Sequence, residues 1–95
     1  MQILNLDLET ETLKVQLTKE EADSIIRWHR EVLYASTFDS PESIKNYHEA
    51  VQSGKVDIDV PSQHLVLKNA WCINIRQEGD FYYGDFTFDK VERLI

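Results

Sequence analysis

Apolar and polar residues alternate along much of the chain, and the longest such run begins at Leu65. From there to position 75 every second residue is large and apolar, with the exception of Asn69. A period of two is the pattern of a β-strand with one buried face. The run therefore predicts a long strand, and its buried face should carry Leu65, Leu67, Trp71, Ile73 and Ile75.

The residues that follow predict a hairpin. The segment 77–80 contains Gly79, which can adopt the positive φ that a tight turn requires. A turn centred between Glu78 and Gly79 fixes how the two strands pair. On the buried face this pairing sets Ile75 opposite Tyr82, Ile73 opposite Gly84 and Trp71 opposite Phe86. On the other face it sets Arg76 opposite Phe81, Asn74 opposite Tyr83 and Cys72 opposite Asp85.

The second face of this hairpin mixes aromatic, polar and charged residues. Aromatic side chains beside an arginine are typical of protein-binding surfaces. We therefore expect a binding site made of Asn74, Arg76, Phe81, Tyr83 and Asp85. The alternatives are that the rest of the chain covers this face or that a second copy of the chain does.

Shorter patterns predict the remaining elements. Alternation over residues 1–17 predicts a first hairpin, and Thr18 with Glu21 forms a capping box that begins a helix ending near Ala35. Ser40-Pro41 begins a second, shorter helix, and Gly54 should end it in a left-handed cap. Residues 55–60 alternate again as a strand. The tail from Asp89 fits either a short C-terminal helical turn or a continuation of the last long strand.

Together these elements predict one α+β domain over residues 1–95. Their order is ββααβββ, an antiparallel sheet with both helices packed on one face. With 42% hydrophobic residues, a chain of 95 residues can bury a core without disulfides or metal. One cysteine and the lack of a signal peptide favour a cytoplasmic protein, and charges interrupt every apolar run, so we expect no membrane association.

The charge of the chain disfavours some functions. A net charge of −7 argues against direct nucleic-acid binding through phosphate contacts, although Trp28, Tyr34, Tyr47, Phe81 and Tyr83 are aromatics of the kind that stack on bases. The opposite idea is an acidic nucleic-acid mimic that blocks a DNA-binding protein. It would use the carboxylates of two clusters. One cluster is Asp57 with Asp59, and the other is Asp7 with Glu9 and Glu11.

Catalytic chemistry has little support in the sequence. Cys72 and the three histidines, His29, His48 and His64, are the residue types of a thiol nucleophile and its base, but none stands in a motif for such enzymes. No spacing matches a metal site, and three scattered glycines cannot form a phosphate loop. We therefore expect no catalytic residues, no metal and no cofactor.

The leading hypothesis from the sequence is a small acidic protein-binding module, an inhibitor or adaptor that occupies another protein's surface. A phage or mobile-element protein that blocks a host enzyme would fit this description. The alternatives are a structural homodimer with no inhibitory role and the nucleic-acid mimic.

Overall fold

The computed structural model describes residues 1–35 and 41–94. In chain order its elements are β1 (Gln2–Asp7), β2 (Thr12–Leu17), α1 (Lys19–Ala35), α2 (Pro41–Ser53), β3 (Val56–Val60), a 3-10 turn (Pro61–Gln63), β4 (Leu65–Glu78), β5 (Phe81–Thr87) and β6 (Lys90–Arg93). The α+β class is confirmed, and so is the predicted order ββααβββ for the helices and the strands β1 to β5. The cap proposed at Ser40 lies outside the described residues.

The six described strands pair antiparallel in one sheet, in which β1-β2-β5-β4-β3 are successive neighbours and β6 also pairs with β4. The first half of β4 lies between β3 and β6, and its second half pairs with β5. Of the two alternatives for the tail, the helical turn is wrong, because the tail is extended and forms β6 alongside Leu65–Lys68. The Val91 side chain packs on the core and the Leu94 amide donates to the His64 carbonyl at 2.9 Å, so pairing satisfies this segment better than a single helical turn.

Helix α1 covers the core on one face of the sheet, where it contacts β2, β4 and β5, and α2 packs against α1. The predicted capping box begins α1. The Thr18 amide donates to Glu21 Oε1 at 2.9 Å, and the Glu21 amide donates to the Thr18 hydroxyl at 3.1 Å. The buried side chains include Leu13, Val15, Leu67, Ala70, Cys72 and Phe86.

Two irregularities in β4 change which side chains point inward. Asn69 has a φ of 52°, and the pairing with β3 shifts there by one residue. The pairing with β5 shifts again at Ile73. Each bulge adds one residue and so reverses the alternation that follows. Ala70 and Cys72 are therefore buried, whereas Ile73 is 55% exposed, and the prediction of a strict alternation through residue 75 is wrong.

Asp57 holds the first bulge in place. Its Oδ1 accepts the Asn69 amide at 3.1 Å and its Oδ2 accepts from Lys68 Nζ at 2.9 Å. The hydrogen bond from Lys68, followed by that from the Asn69 amide, lowers the pKa of Asp57 below its ordinary value. This carboxylate stabilises a backbone irregularity as well as marking an edge strand.

A bulge also alters the first hairpin. The pairing of β1 with β2 shifts at Leu4, which is consequently half exposed, while Ile3 and Leu6 pack on the core. At the tip, Asp7 Oδ1 accepts the Glu9 amide at 3.0 Å and the Thr10 amide at 3.3 Å. An aspartate that folds onto its own turn explains how the chain reverses here without glycine, asparagine or proline.

Gly54 follows α2, but its φ is not positive, so the predicted left-handed cap is wrong. The glycine is needed for space. A Cβ at position 54 would overlap the indole ring of Trp28. The same indole donates from Nε1 to the Ala50 carbonyl at 2.6 Å, which joins α1 to the end of α2.

Candidate protein-binding surface

The turn between β4 and β5 lies one residue later than the sequence predicts, and this shifts the partner of each β4 residue next to the turn by two positions. Glu78 pairs with Phe81, so the turn consists of Gly79 and Asp80 alone. Gly79 has a φ of 61° at the first central position, which is the arrangement of a type II′ turn. This turn matches the right-handed twist of the two strands and therefore sets the pairing.

Between the bulge at Ile73 and the turn, the shift by two residues changes neighbours but keeps each side chain on its face. Arg76 lies opposite Tyr83, and Asn74 lies opposite Asp85. The predicted pairs of Arg76 with Phe81, Asn74 with Tyr83 and Cys72 with Asp85 are wrong. Four of the five expected site residues nevertheless meet on the sheet face that α1 leaves open, and we call these four, Asn74, Arg76, Tyr83 and Asp85, the polar cluster.

Arg76 is the centre of the polar cluster. Its Nη1 donates to Asp85 Oδ2 at 3.3 Å, and its guanidinium carbon lies 5.6 Å from the centroid of the Tyr83 ring. The Asn74 amide donates to the same Asp85 oxygen at 3.5 Å. A cation held by a carboxylate and an aromatic face loses less freedom when it binds a further group. The cluster is therefore a prearranged polar surface.

The carboxylate of Asp85 lies deeper than the arginine it holds. Its side chain is mostly buried, and no donor of the described residues reaches its second oxygen, Oδ1. A buried acceptor left without a donor is unfavourable. Asp85 therefore retains an acceptor beneath the surface of the cluster.

Apolar groups flank the polar cluster. Phe81, the fifth expected residue, lies on the same face of β5 two positions before Tyr83 and is 55% exposed. Ile73 lies at the other end of the cluster and was missed, because the alternation placed it in the core. The one signal in the sequence was Asn69, the polar exception in an apolar series, where the first bulge begins.

A groove of about 560 Å³ lies on the opposite side of the sheet, next to α1. Its lining includes Leu17, Ile25, Trp28, Glu31 and Phe86. The thickness of the sheet separates this groove from the polar cluster.

Cys72 and His29 are neighbours, but the thiol is not the group that the histidine contacts. His29 Nε2 lies 2.8 Å from the Cys72 carbonyl oxygen. The Cys72 thiol donates to the Asn74 carbonyl at 3.1 Å. Burial raises the pKa of this thiol from 9.0 to about 11, whereas a reactive cysteine needs a lowered pKa. A buried thiol with a raised pKa is typical of a structural cysteine.

Alkylation tests this assignment. At pH 8, iodoacetamide should modify Cys72 at least about a hundredfold more slowly in the native protein than in urea, since two pKa units reduce the thiolate that much and burial adds to the effect. The free energy of unfolding should fall between about pH 9 and 11, because only the unfolded thiol ionises there. Equal alkylation rates in the native and unfolded states would contradict a buried thiol.

Among residues 1–35 and 41–94, no three His, Cys, Asp or Glu side chains form a cluster that could hold a metal ion. In the same ranges no helix is both long enough and apolar enough to cross a membrane. Comparisons with protein-family models, with curated proteins and with solved structures each found no match to this chain.

Proposed function

We propose that this chain is a binding protein that occupies another protein's surface, as an inhibitor or adaptor, through the polar cluster and its apolar flanks. The observation that carries the proposal is the arrangement around Arg76. Exposed Phe81 and Ile73 stand on either side of an arginine that Asp85 and Tyr83 hold in place. Arginine and aromatic side chains supply most of the energy in protein interfaces.

The open face supports this proposal over burial by the rest of the chain. Helix α1 packs on the other face of the sheet and α2 packs against α1, so neither described helix is placed over the polar cluster. Large apolar side chains on such a face favour a protein partner, because covering them removes apolar surface from water.

The acidic surface gives less support to a nucleic-acid mimic. Asp57 is engaged by Lys68 and by the Asn69 amide, and Asp7 is engaged by the amides of its own turn. A carboxylate that imitates a phosphate must be available to a partner's cations. The structural homodimer remains the second candidate, since a second copy would cover the same apolar flanks.

Affinity capture tests the proposal. The wild-type chain and the double variant Phe81→Ser/Tyr83→Ser are each immobilised and exposed to a lysate of the source organism, with Ile44→Ser as a control. Ile44 is an exposed apolar residue of α2, away from the cluster. We expect one protein to bind the wild type and the control but not the double variant, because the double variant lacks both aromatic contacts.

The double variant must first show a native circular dichroism spectrum and thermal transition. A partner that binds it as tightly as the wild type would contradict the proposed surface. Sedimentation of both proteins at micromolar concentration tests the homodimer. If the wild type is a dimer and the double variant is a monomer, the molecule that covers this face is a second copy of the chain.

A further inference from the structure

Among the described residues, one edge of β4 has no partner strand over the part that carries the polar cluster. β4 pairs with β5 through Trp71–Glu78, and on its opposite edge β3 accompanies it only as far as Ala70. Within the part of the chain that the structure describes, no strand pairs with the second half of β4 on that edge. The bond from His29 to the Cys72 carbonyl closes one end of the gap, so the free edge runs from Ile73 to Glu78.

The hairpin turn determines which main-chain groups point to this free edge. In a two-residue turn the flanking residues, Glu78 and Phe81, form a hydrogen-bonded pair, and such pairs alternate along an antiparallel ladder. Arg76 therefore bonds to β5, whereas Ile75 and Gln77 direct their N–H and C=O groups away from it. Two residues at alternate positions thus offer a donor and an acceptor each to an incoming strand.

This edge carries little of the protection usual for unpaired strands. Natural edges are shielded by lysine, proline, bulges or a covering element. The outer edge strand β3 is followed by Pro61 and carries two aspartates, and β1 has the bulge at Leu4. After the bulge at Ile73, the free edge of β4 has neither lysine nor proline, and its two charged residues, Arg76 and Glu78, lie 3.9 Å apart as an ion pair of no net charge. It is therefore the better template for strand addition.

We propose that an extended segment of the partner protein adds to this edge of β4 as a further strand, an inference that rests on the proposed function and names the form of the partner's contact. Strand addition uses main-chain hydrogen bonds for affinity and alternate side chains for specificity. The added strand lies beside the polar cluster, so one partner contacts both. Its side chains on the open face meet exposed Ile73, which calls for an apolar residue there.

Charge identifies the segment as basic. The hairpin around the free edge has one cation, Arg76, against the three carboxylates of Glu78, Asp80 and Asp85, which leaves an excess of two negative charges. Arg76 lies 3.3 Å from Asp85 Oδ2 and 3.9 Å from Glu78 Oε1. A lysine or arginine near the turn would gain from Glu78 and Asp80. A second copy of the chain is disfavoured as the added strand, because two chains of net charge −7 repel and a pairing centred on Arg76 would oppose two arginines.

A defined peptide tests the inference without knowledge of the partner. The probe is acetyl-Lys-Val-Lys-Val-Lys-Val-Lys-amide, and its control is the same peptide N-methylated at two successive central residues, which removes one donor from each edge at equal charge. Amide hydrogen exchange of the wild-type chain is followed by NMR. We expect the probe to slow exchange at Ile75 and Gln77 about tenfold or more, and the control peptide to leave both unchanged.

Two variants at one position provide the matched comparison. Gln77→Pro removes an outward donor without removing a bond to β5, whereas Gln77→Ala keeps the main-chain donor and removes only the side chain. We expect Gln77→Ala to bind the probe like the wild type and Gln77→Pro to bind at least about tenfold more weakly, which corresponds to about 1.4 kcal/mol.

Three results would overturn the inference. The first is that the probe and its N-methylated control slow exchange equally, and the second is that a folded Gln77→Pro variant binds the probe as tightly as the wild type. The third is that, without peptide, the exchange protection of Ile75 and Gln77 grows with protein concentration, which would indicate that the chain pairs with itself. Capture from the lysate separates this failure from that of the proposed function. If Gln77→Pro retains the partner that Phe81→Ser/Tyr83→Ser loses, strand addition is wrong and the binding surface stands.

Discussion

Truncating Leu67 to alanine should lower the free energy of unfolding by about 2–5 kcal/mol, whereas truncating Ile73 in the same strand should change it by less than about 1 kcal/mol. Leu67 is fully buried, and a cavity in a closely packed core relaxes only partly. Ile73 is 55% exposed and fills no core space. Urea denaturation of the two variants and the wild type measures both values.

This comparison decides between strict alternation and the two bulges of β4. Strict alternation places Leu67 and Ile73 on the same buried face, so truncating either one should lower the free energy of unfolding by a similar amount. A loss at Ile73 as large as that at Leu67 would contradict the bulge at Asn69. Loss of partner binding by Ile73→Ala, with stability intact, would in addition place this residue in the binding surface.

Replacing Gly54 by alanine should destabilise the domain by about 1–3 kcal/mol, because the added methyl group would overlap the Trp28 indole and force it from its position. Moving the indole also weakens its hydrogen bond to the Ala50 carbonyl, which joins the two helices. Thermal denaturation followed by circular dichroism measures the change.

A double-mutant cycle with Trp28→Ala tests the cause. Once the indole is removed, Gly54→Ala should cost little or even stabilise, since alanine restricts the unfolded chain. Gly79→Ala is the matched control. It has a φ of 61° and no neighbour to overlap, so its effect should be the same with and without Trp28. Additive effects of Gly54→Ala and Trp28→Ala would exclude the proposed overlap.

The binding surface and the core irregularities have a common origin in β4. The bulge at Asn69 turns Ile73 outward, and the type II′ turn sets Arg76 beside Tyr83 and Asp85. A strand without the bulges would bury Ile73 and expose Cys72. The feature that departs from regular strand geometry is thus the one that gives the open face its apolar flank.

The sequence by itself determined the class of the fold and most of its elements. Local signals were sufficient at Thr18 and Glu21, whose capping box begins α1 as expected, and at Gly79, which marks the hairpin. It also identified four residues that meet on one face, because an error of two in pairing leaves the side chains between the bulge at Ile73 and the turn on their own side of the sheet.

Tertiary structure alone decided the details that depend on distant residues. The bulge at Asn69 exists because Asp57, twelve residues earlier, accepts its amide, and the space at Gly54 is set by Trp28 on another helix. The tail became β6 because β4 had a free edge beside Leu65–Lys68. Alternation and propensity describe neighbours along the chain, whereas these contacts form only when the sheet has brought separate segments together.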